Sequence, residues 1–177
     1  IHQEMPKASP RMLGLQLWVN LPAKDKMVRP QYRDLTAEKI PRVTEAAGTV
    51  GVIAGSYGES VGATQGDYVR VLMLDVNLKP GAAWSTPVDR DATAFAYTVA
   101  GGGEFGSAAT PVGGRRGVLF GDGDAVAAKA GPEGMRFILV AGRPLHEPVA
   151  WGGPIVMNTQ EELDQAFAEI ESGTFIR

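Results

Sequence analysis

The chain of 177 residues has no cysteine. That excludes disulfides, thiolate zinc sites and cysteine nucleophiles, and it fits a reducing compartment, so a cytoplasmic location is expected. Histidine is almost as scarce, with only His2 and His146 present. A Ser-His-Asp arrangement therefore has few bases to draw on, and none can be argued from order along the chain. No apolar run reaches about eighteen residues, so no membrane-spanning helix is expected. No secretory leader is visible. Lysine and arginine form no block and the net charge is −3, which disfavours direct binding to a nucleic-acid backbone. There is no internal repeat and no low-complexity tract. The chain also lacks a starting methionine, opening instead on Ile1-His2-Gln3-Glu4. A trimmed or uncovered N-terminus is the expectation.

What is present suits a folded core. Hydrophobic residues make up 44% and charged residues 21%, a globular balance. Residues 13–21 alternate apolar and mixed side chains and predict a strand that Pro22 ends. Residues 23–43 are charged and proline-interrupted, which predicts a linker with one short helical turn near 37–40. Strand-like runs follow at 50–54, 68–78, 94–100, 116–120, 125–128 and 135–141, separated by Gly, Pro, Asp and Ser. Short strands at such spacing predict an all-β sandwich or barrel. One helix is expected near the end. Thr159 and Glu162 have the spacing of a capping box, Leu163, Phe167 and Ile170 form an apolar stripe, and Gly173 suits the stop.

Few residues offer chemistry. Gly101-Gly102-Gly103-Glu104-Phe105-Gly106 fits G-x-G-x-x-G, but no helix follows it to receive a pyrophosphate, so a β-turn is expected there. The glycine-rich stretch 48–66 lacks the Lys-Ser/Thr of a P-loop. Asp122 and Asp124 could meet a hard cation, though Gly-Asp-Gly-Asp between strands predicts a turn. His146 lies between Pro144 and Pro148 and reads as a surface or hydrogen-bonded loop histidine. His2 and Glu4, two apart, would face the same way on a strand, as two ligands of one metal do. Two ligands do not hold a metal; three or four are needed.

Several stretches carry a resemblance. Residues 13–27 (Leu-Gly-Leu-Gln-Leu-Trp-Val-Asn-Leu-Pro-Ala-Lys-Asp-Lys-Met), then Pro30-Gln31-Tyr32, strongly resemble the middle of the pirin family. So do residues 141–149 (Ala-Gly-Arg-Pro-Leu-His-Glu-Pro-Val) and 153–159 (Gly-Pro-Ile-Val-Met-Asn-Thr), in the family order. The opening His2-Gln3-Glu4-Met5-Pro6 is similar to the segment just before that middle block. The resemblance implies a bicupin, two cupin-type β-barrels in tandem, with a short C-terminal helix. Residues 1–45 would be the last strands of the first cupin plus the linker, and residues 46–177 the second cupin.

The resemblance also implies a metal in the first cupin, iron or another divalent transition metal, held by three histidines and one glutamate. His2 and Glu4 match the later pair of those ligands, and the early His-x-His would lie upstream of Ile1. The metal is expected only if those missing ligands are supplied. In the second cupin the matching stretches, 80–87 and 93–101, bear no histidine, so its centre is expected to be filled by apolar side chains such as Trp84, Phe95 and Tyr97. Gln16 and Trp18 are weaker candidates for lining the metal site.

Two functions follow from the resemblance. One is an iron-dependent oxidoreductase of the quercetin 2,3-dioxygenase type, acting on a flavonol-like small molecule. The other is a non-enzymatic regulator that binds a transcription factor or a metabolic enzyme, with the metal as a redox switch. Neither implies nucleic acid or membrane as a direct partner.

Overall fold

The computed structural model describes Met5 and residues 7–10 and 12–176. Twelve strands run in chain order among the described residues. The first five are β1 (Arg42–Glu45), β2 (Gly48–Ala54), β3 (Ser56–Tyr57), β4 (Ser60–Val61) and β5 (Val71–Leu78). Then come β6 (Ala83–Pro87), β7 (Thr93–Phe105), β8 (Thr110–Val112) and β9 (Gly117–Leu119). The last three are β10 (Ala125–Gly142), β11 (Ala150–Gly152) and β12 (Ile155–Met157), followed by helix α1 (Gln160–Glu171).

β10 organises the barrel. Its second half pairs antiparallel with β5 on one side and the start of β7 on the other. Its first half pairs with β6 and with the end of β7. The register slips between Ala130 and Met135, and there both long strands bend from one leaf of the barrel into the other. The glycine run of β7 makes that crossing possible. A Cβ on Gly103 would stand 2.1 Å from the Lys129 carbonyl oxygen, and one on Gly101, at φ +68°, would stand 2.1 Å from that of Gly134. The G-x-G-x-x-G run is thus strand for most of its length, not the expected turn, and its glycines let two backbones touch.

Alternation sets the inside. Val50, Val52, Leu74, Val76 and Leu78 point inward from β2 and β5. Across the seam, small side chains on β7 oppose large ones on β10: Ala96 faces Leu139, and Thr98 faces Phe137. Trp84 from β6 meets Phe137 edge-on at 5.7 Å, and Phe137 meets Phe105 edge-on at 5.1 Å. Each such large side chain contributes about 1.5–3 kcal/mol through burial. The barrel is therefore filled as expected with apolar groups, but by a different set. Trp84 is buried, whereas Phe95 and Tyr97 alternate with the inward Ala94, Ala96 and Thr98 and lie half-buried on the opposite face. A one-residue offset in register decides which face a strand residue takes.

Thr98 is fully buried, and its hydroxyl is satisfied by the loop leading to β9. It accepts from the Arg116 backbone N–H at 2.9 Å and donates to the Gly113 carbonyl at 2.7 Å. At the sheet's outer face Arg136 grips Asp75 through two nitrogens, at 2.8 and 2.9 Å.

A small annex follows the barrel. The β11–β12 hairpin and α1 share a core of Ile155, Leu163 and Ala166, joined by Ala150, Met157 and Phe175. The capping box is present: Thr159 Oγ1 accepts from the Glu162 backbone N–H, and the Glu162 carboxylate accepts from the Thr159 backbone N–H. The helix ends at Ser172, and Gly173 takes φ +74° as expected. The stripe differs from expectation. Leu163 is buried, but its companion is Ala166, while Phe167 and Ile170 are 38% and 37% exposed.

Residues 13–21 form no strand, because no partner strand pairs with them among the described residues. Both faces of residues 12–19 are exposed, with Leu13 at 63% and Val19 at 51%. Past Pro22 a single 3-10 turn spans Ala23–Asp25, and a second turn falls at 37–39, where the short helical turn was expected.

Candidate functional site

The stretches that carry the family resemblance lie far apart in sequence and meet in space. Pro22 starts the 3-10 turn, and the exposed backbone N–H of Ala23 donates to Glu147 Oε2 at 2.7 Å. The same oxygen accepts from Asn158 Nδ2 at 3.1 Å, and that amide also donates to the Pro148 carbonyl at 2.9 Å. Lys26 Nζ donates to Asn20 Oδ1 at 2.6 Å and to the Val156 carbonyl at 3.1 Å. One polar junction therefore pins residues 20–26 to the loop before β11, to β12 and to the residue that precedes the helix cap.

Its electrostatics follow from burial. Desolvation pushes the Lys26 ammonium below the usual lysine range, and the carboxylates of Glu147 and Glu162 pull it partly back. The Oδ1 of Asn158 is buried without a hydrogen-bond partner, so the amide presents an unused acceptor inside the junction. His146 beside it is exposed and takes φ +54°, left-handed backbone that a histidine tolerates better than a branched residue. That turn lets Leu145 and Glu147 reach inward while the imidazole stays outside, in keeping with a surface loop histidine.

Next to the junction a cleft of about 750 Å³ opens at one end of the barrel. Its floor is Leu72, Val88 and Ala92, which pack on the barrel core. Pro22, Lys24, Arg143 and Glu147, all from the resembling stretches, form much of its rim. Arg143 is tied to Asp89 at 2.6 Å and reaches Asp91 at 3.5 Å, and its guanidinium holds the Asp89 carboxyl below the usual carboxylate range.

A second polar device sits on the barrel wall. Trp84 Nε1 donates to Tyr57 Oη at 2.9 Å, and Tyr57 Oη donates to Glu45 Oε1. The rings of Tyr57 and Trp84 stack at 6.2 Å. Burial, reinforced by the bond to Glu45, pushes the Tyr57 hydroxyl up to about 12.

The expected metal ligands His2 and Glu4 lie outside the described residues. Gln16 and Trp18 lie on the exposed stretch 12–19, with Trp18 at 57%. Asp122 and Asp124 are exposed in a bend before β10, as a turn would place them. Among the described residues no three His, Asp or Glu side chains stand close enough to hold a metal ion. The interior of the barrel, lined by Trp84, Phe105, Phe137 and aliphatic groups, does not fit one either. What residue-by-residue reading missed was Asn20, Lys26, Glu147 and Asn158 as one cluster. Their signal was that all four fall within the resembling stretches.

Comparison with known proteins fits this geometry. Residues 73–176 match the family model for the pirin C-terminal cupin domain. The chain is 40% identical over 177 residues to human Pirin, covering 97% of this chain and 60% of that protein. It is 41% identical over 178 residues to Pirin-1 of Arabidopsis thaliana, covering 97% of this chain and 61% of that protein. A crystal structure of a quercetin 2,3-dioxygenase from Acinetobacter baumannii superposes with a TM-score of 0.81 at 28% identity, covering 89% of this chain and 55% of that one. The chain thus spans about three fifths of the length of these curated relatives. With the family's motifs converging on one junction behind an all-β cupin barrel, the chain belongs to the pirin family and carries its C-terminal cupin.

Proposed function

We propose that this chain is the rear part of a pirin-type bicupin, with residues 1–45 closing the first barrel and residues 46–177 forming the second. The whole protein acts as an oxidoreductase of the quercetin 2,3-dioxygenase type on a flavonol-like substrate. The observation that carries this reading is the likeness to the Acinetobacter baumannii quercetin 2,3-dioxygenase across 89% of the chain. His2 and Glu4 serve as two ligands of a divalent metal, with iron the expected ion, and the remaining ligands come from residues preceding Ile1. Because the described residues do not fit a metal, no catalytic step is assigned to them. Their role is to present: the Lys26–Glu147 junction fixes the direction in which residues 12–19 leave the barrel, and so sets the first barrel against the second. The absence of cysteine suits a cytoplasmic setting.

The test is quercetin consumption by the complete protein, followed by loss of flavonol absorbance, with bound iron quantified in parallel. Turnover that depends on added Fe(II) and falls together with iron content in His2→Ala and Glu4→Ala supports the reading. A preparation with one iron per chain and no turnover refutes the enzymatic part. Full iron retention in both variants refutes the ligand assignment.

A further inference from the structure

We infer that the cleft at the end of the rear barrel is a binding site for a small organic anion with an apolar body, such as an arene carboxylate. This does not depend on the metal centre proposed upstream.

The volume of about 750 Å³ lies in the range of small-molecule sites, about 300–1,000 Å³. Leu72, Val88 and Ala92 give it an apolar floor continuous with the barrel core. The charge on the walls is the unusual part. Lys24, Arg70 and Arg143 line the cleft against Asp89 and Glu147, three cations against two carboxylates in a chain whose net charge is −3. The carboxylates are already engaged. Asp89 is held by Arg143, and Glu147 accepts from Ala23 and Asn158. The side chains of Lys24 and Arg70 make no hydrogen bond or ion pair with any described residue, although Glu147 and Asp89 line the same cleft. Cations left unpaired beside an apolar floor are complementary to an anion that brings its own hydrophobic body. A fully hydrated ion would gain nothing from Leu72 and Val88, and a neutral arene would gain nothing from Lys24 and Arg70.

Isothermal titration of the intact protein with 2-naphthoate, 2-naphthamide and acetate separates these contributions. The naphthoate is expected to bind at least tenfold more tightly than the amide, and acetate not measurably. Replacing both cations, Lys24→Ala with Arg70→Ala, is expected to weaken naphthoate binding about tenfold, since exposed charge contacts are individually modest. Added salt should weaken it in the unmodified protein and much less in the double variant. Both side chains are exposed, so the variant is expected to fold; an unchanged melting temperature checks this. Arg116→Ala, on the loop before β9 and outside the cleft, should leave affinity within twofold. Equal affinity for naphthoate and naphthamide would overturn the inference. So would an equal loss in Arg116→Ala, or no heat of binding up to about 10 mM naphthoate, where a site would hold the ligand by less than about 3 kcal/mol.

Discussion

Tyr57→Phe isolates the polar chain on the barrel wall. The substitution keeps the ring that stacks on Trp84 and removes only the hydroxyl. Trp84 is 6% exposed, so its indole N–H, bonded to Tyr57 at 2.9 Å, is left buried without an acceptor. Leaving such a donor unsatisfied costs about 1–3 kcal/mol. Glu45 is half-buried and can turn to water, so it adds little. We expect a loss of about 2 kcal/mol, or about 4–8 °C in Tm for a chain of this size.

The alkaline limb of the stability curve gives an independent readout. The Tyr57 hydroxyl rises from 10.0 in the unfolded chain to about 12 in the fold, so the folded protein holds this proton more tightly. Its contribution is whole below pH 10 and is lost as pH climbs from 10 to 12. Screening by solvent at a half-exposed group holds that contribution to about 1 kcal/mol. Urea titrations at pH 8 and pH 11, read by tryptophan fluorescence, measure both effects, and tyrosinate absorbance near 295 nm follows the ionisation directly. Tyr57→Phe should lower stability at pH 8 and remove one late-titrating tyrosine. A variant with unchanged Tm and an unchanged alkaline limb would refute the relay from Trp84 to Glu45.

At the strand crossing, Gly103→Ala would place a methyl 2.1 Å from the Lys129 carbonyl oxygen, and should cost well above the ~1 kcal/mol expected for Gly106→Ala, whose Cβ meets nothing. Comparative denaturation of the two variants checks the order. His146→Gly should be neutral or slightly stabilising and His146→Val destabilising by ~1 kcal/mol or more, because φ is +54° there. Lys26→Met strips the donor from Asn20 and from the Val156 carbonyl, and faster proteolytic cutting within residues 12–30, with an unchanged core melt, would show the junction released. Thr159→Ala should cost about 1 kcal/mol and fray the start of α1, read as a loss of helical circular dichroism.

The barrel was legible where one face of a strand is uniformly apolar. The apolar runs 50–54 and 68–78 predict strands, and β2 and β5 fall there. The single strand β10 was read as two, since Gly131-Pro132-Glu133-Gly134 looks like a turn and is a bulge within one strand. Phe95 and Tyr97 were misassigned because β7 is apolar on both faces, and hydrophobicity alone cannot say which face turns inward. The junction was illegible for another reason. Lys26 and Val156 are 130 positions apart, and nothing local to either announces the other. The family resemblance marked those stretches; only the fold showed that they touch.

The position of β10 also bears on how the chain is made. This strand bonds to β5, β6 and β7, yet it is completed only at Gly142, after all three of its partners. A chain emerging from the ribosome can zip β1, β2 and β5 together early, but β6 and most of β7 must wait with open edges for a partner not yet synthesised. Such exposed edges invite pairing with other nascent chains. Expression yield should therefore respond to translation speed across residues 83–142 more than to the sequence that follows.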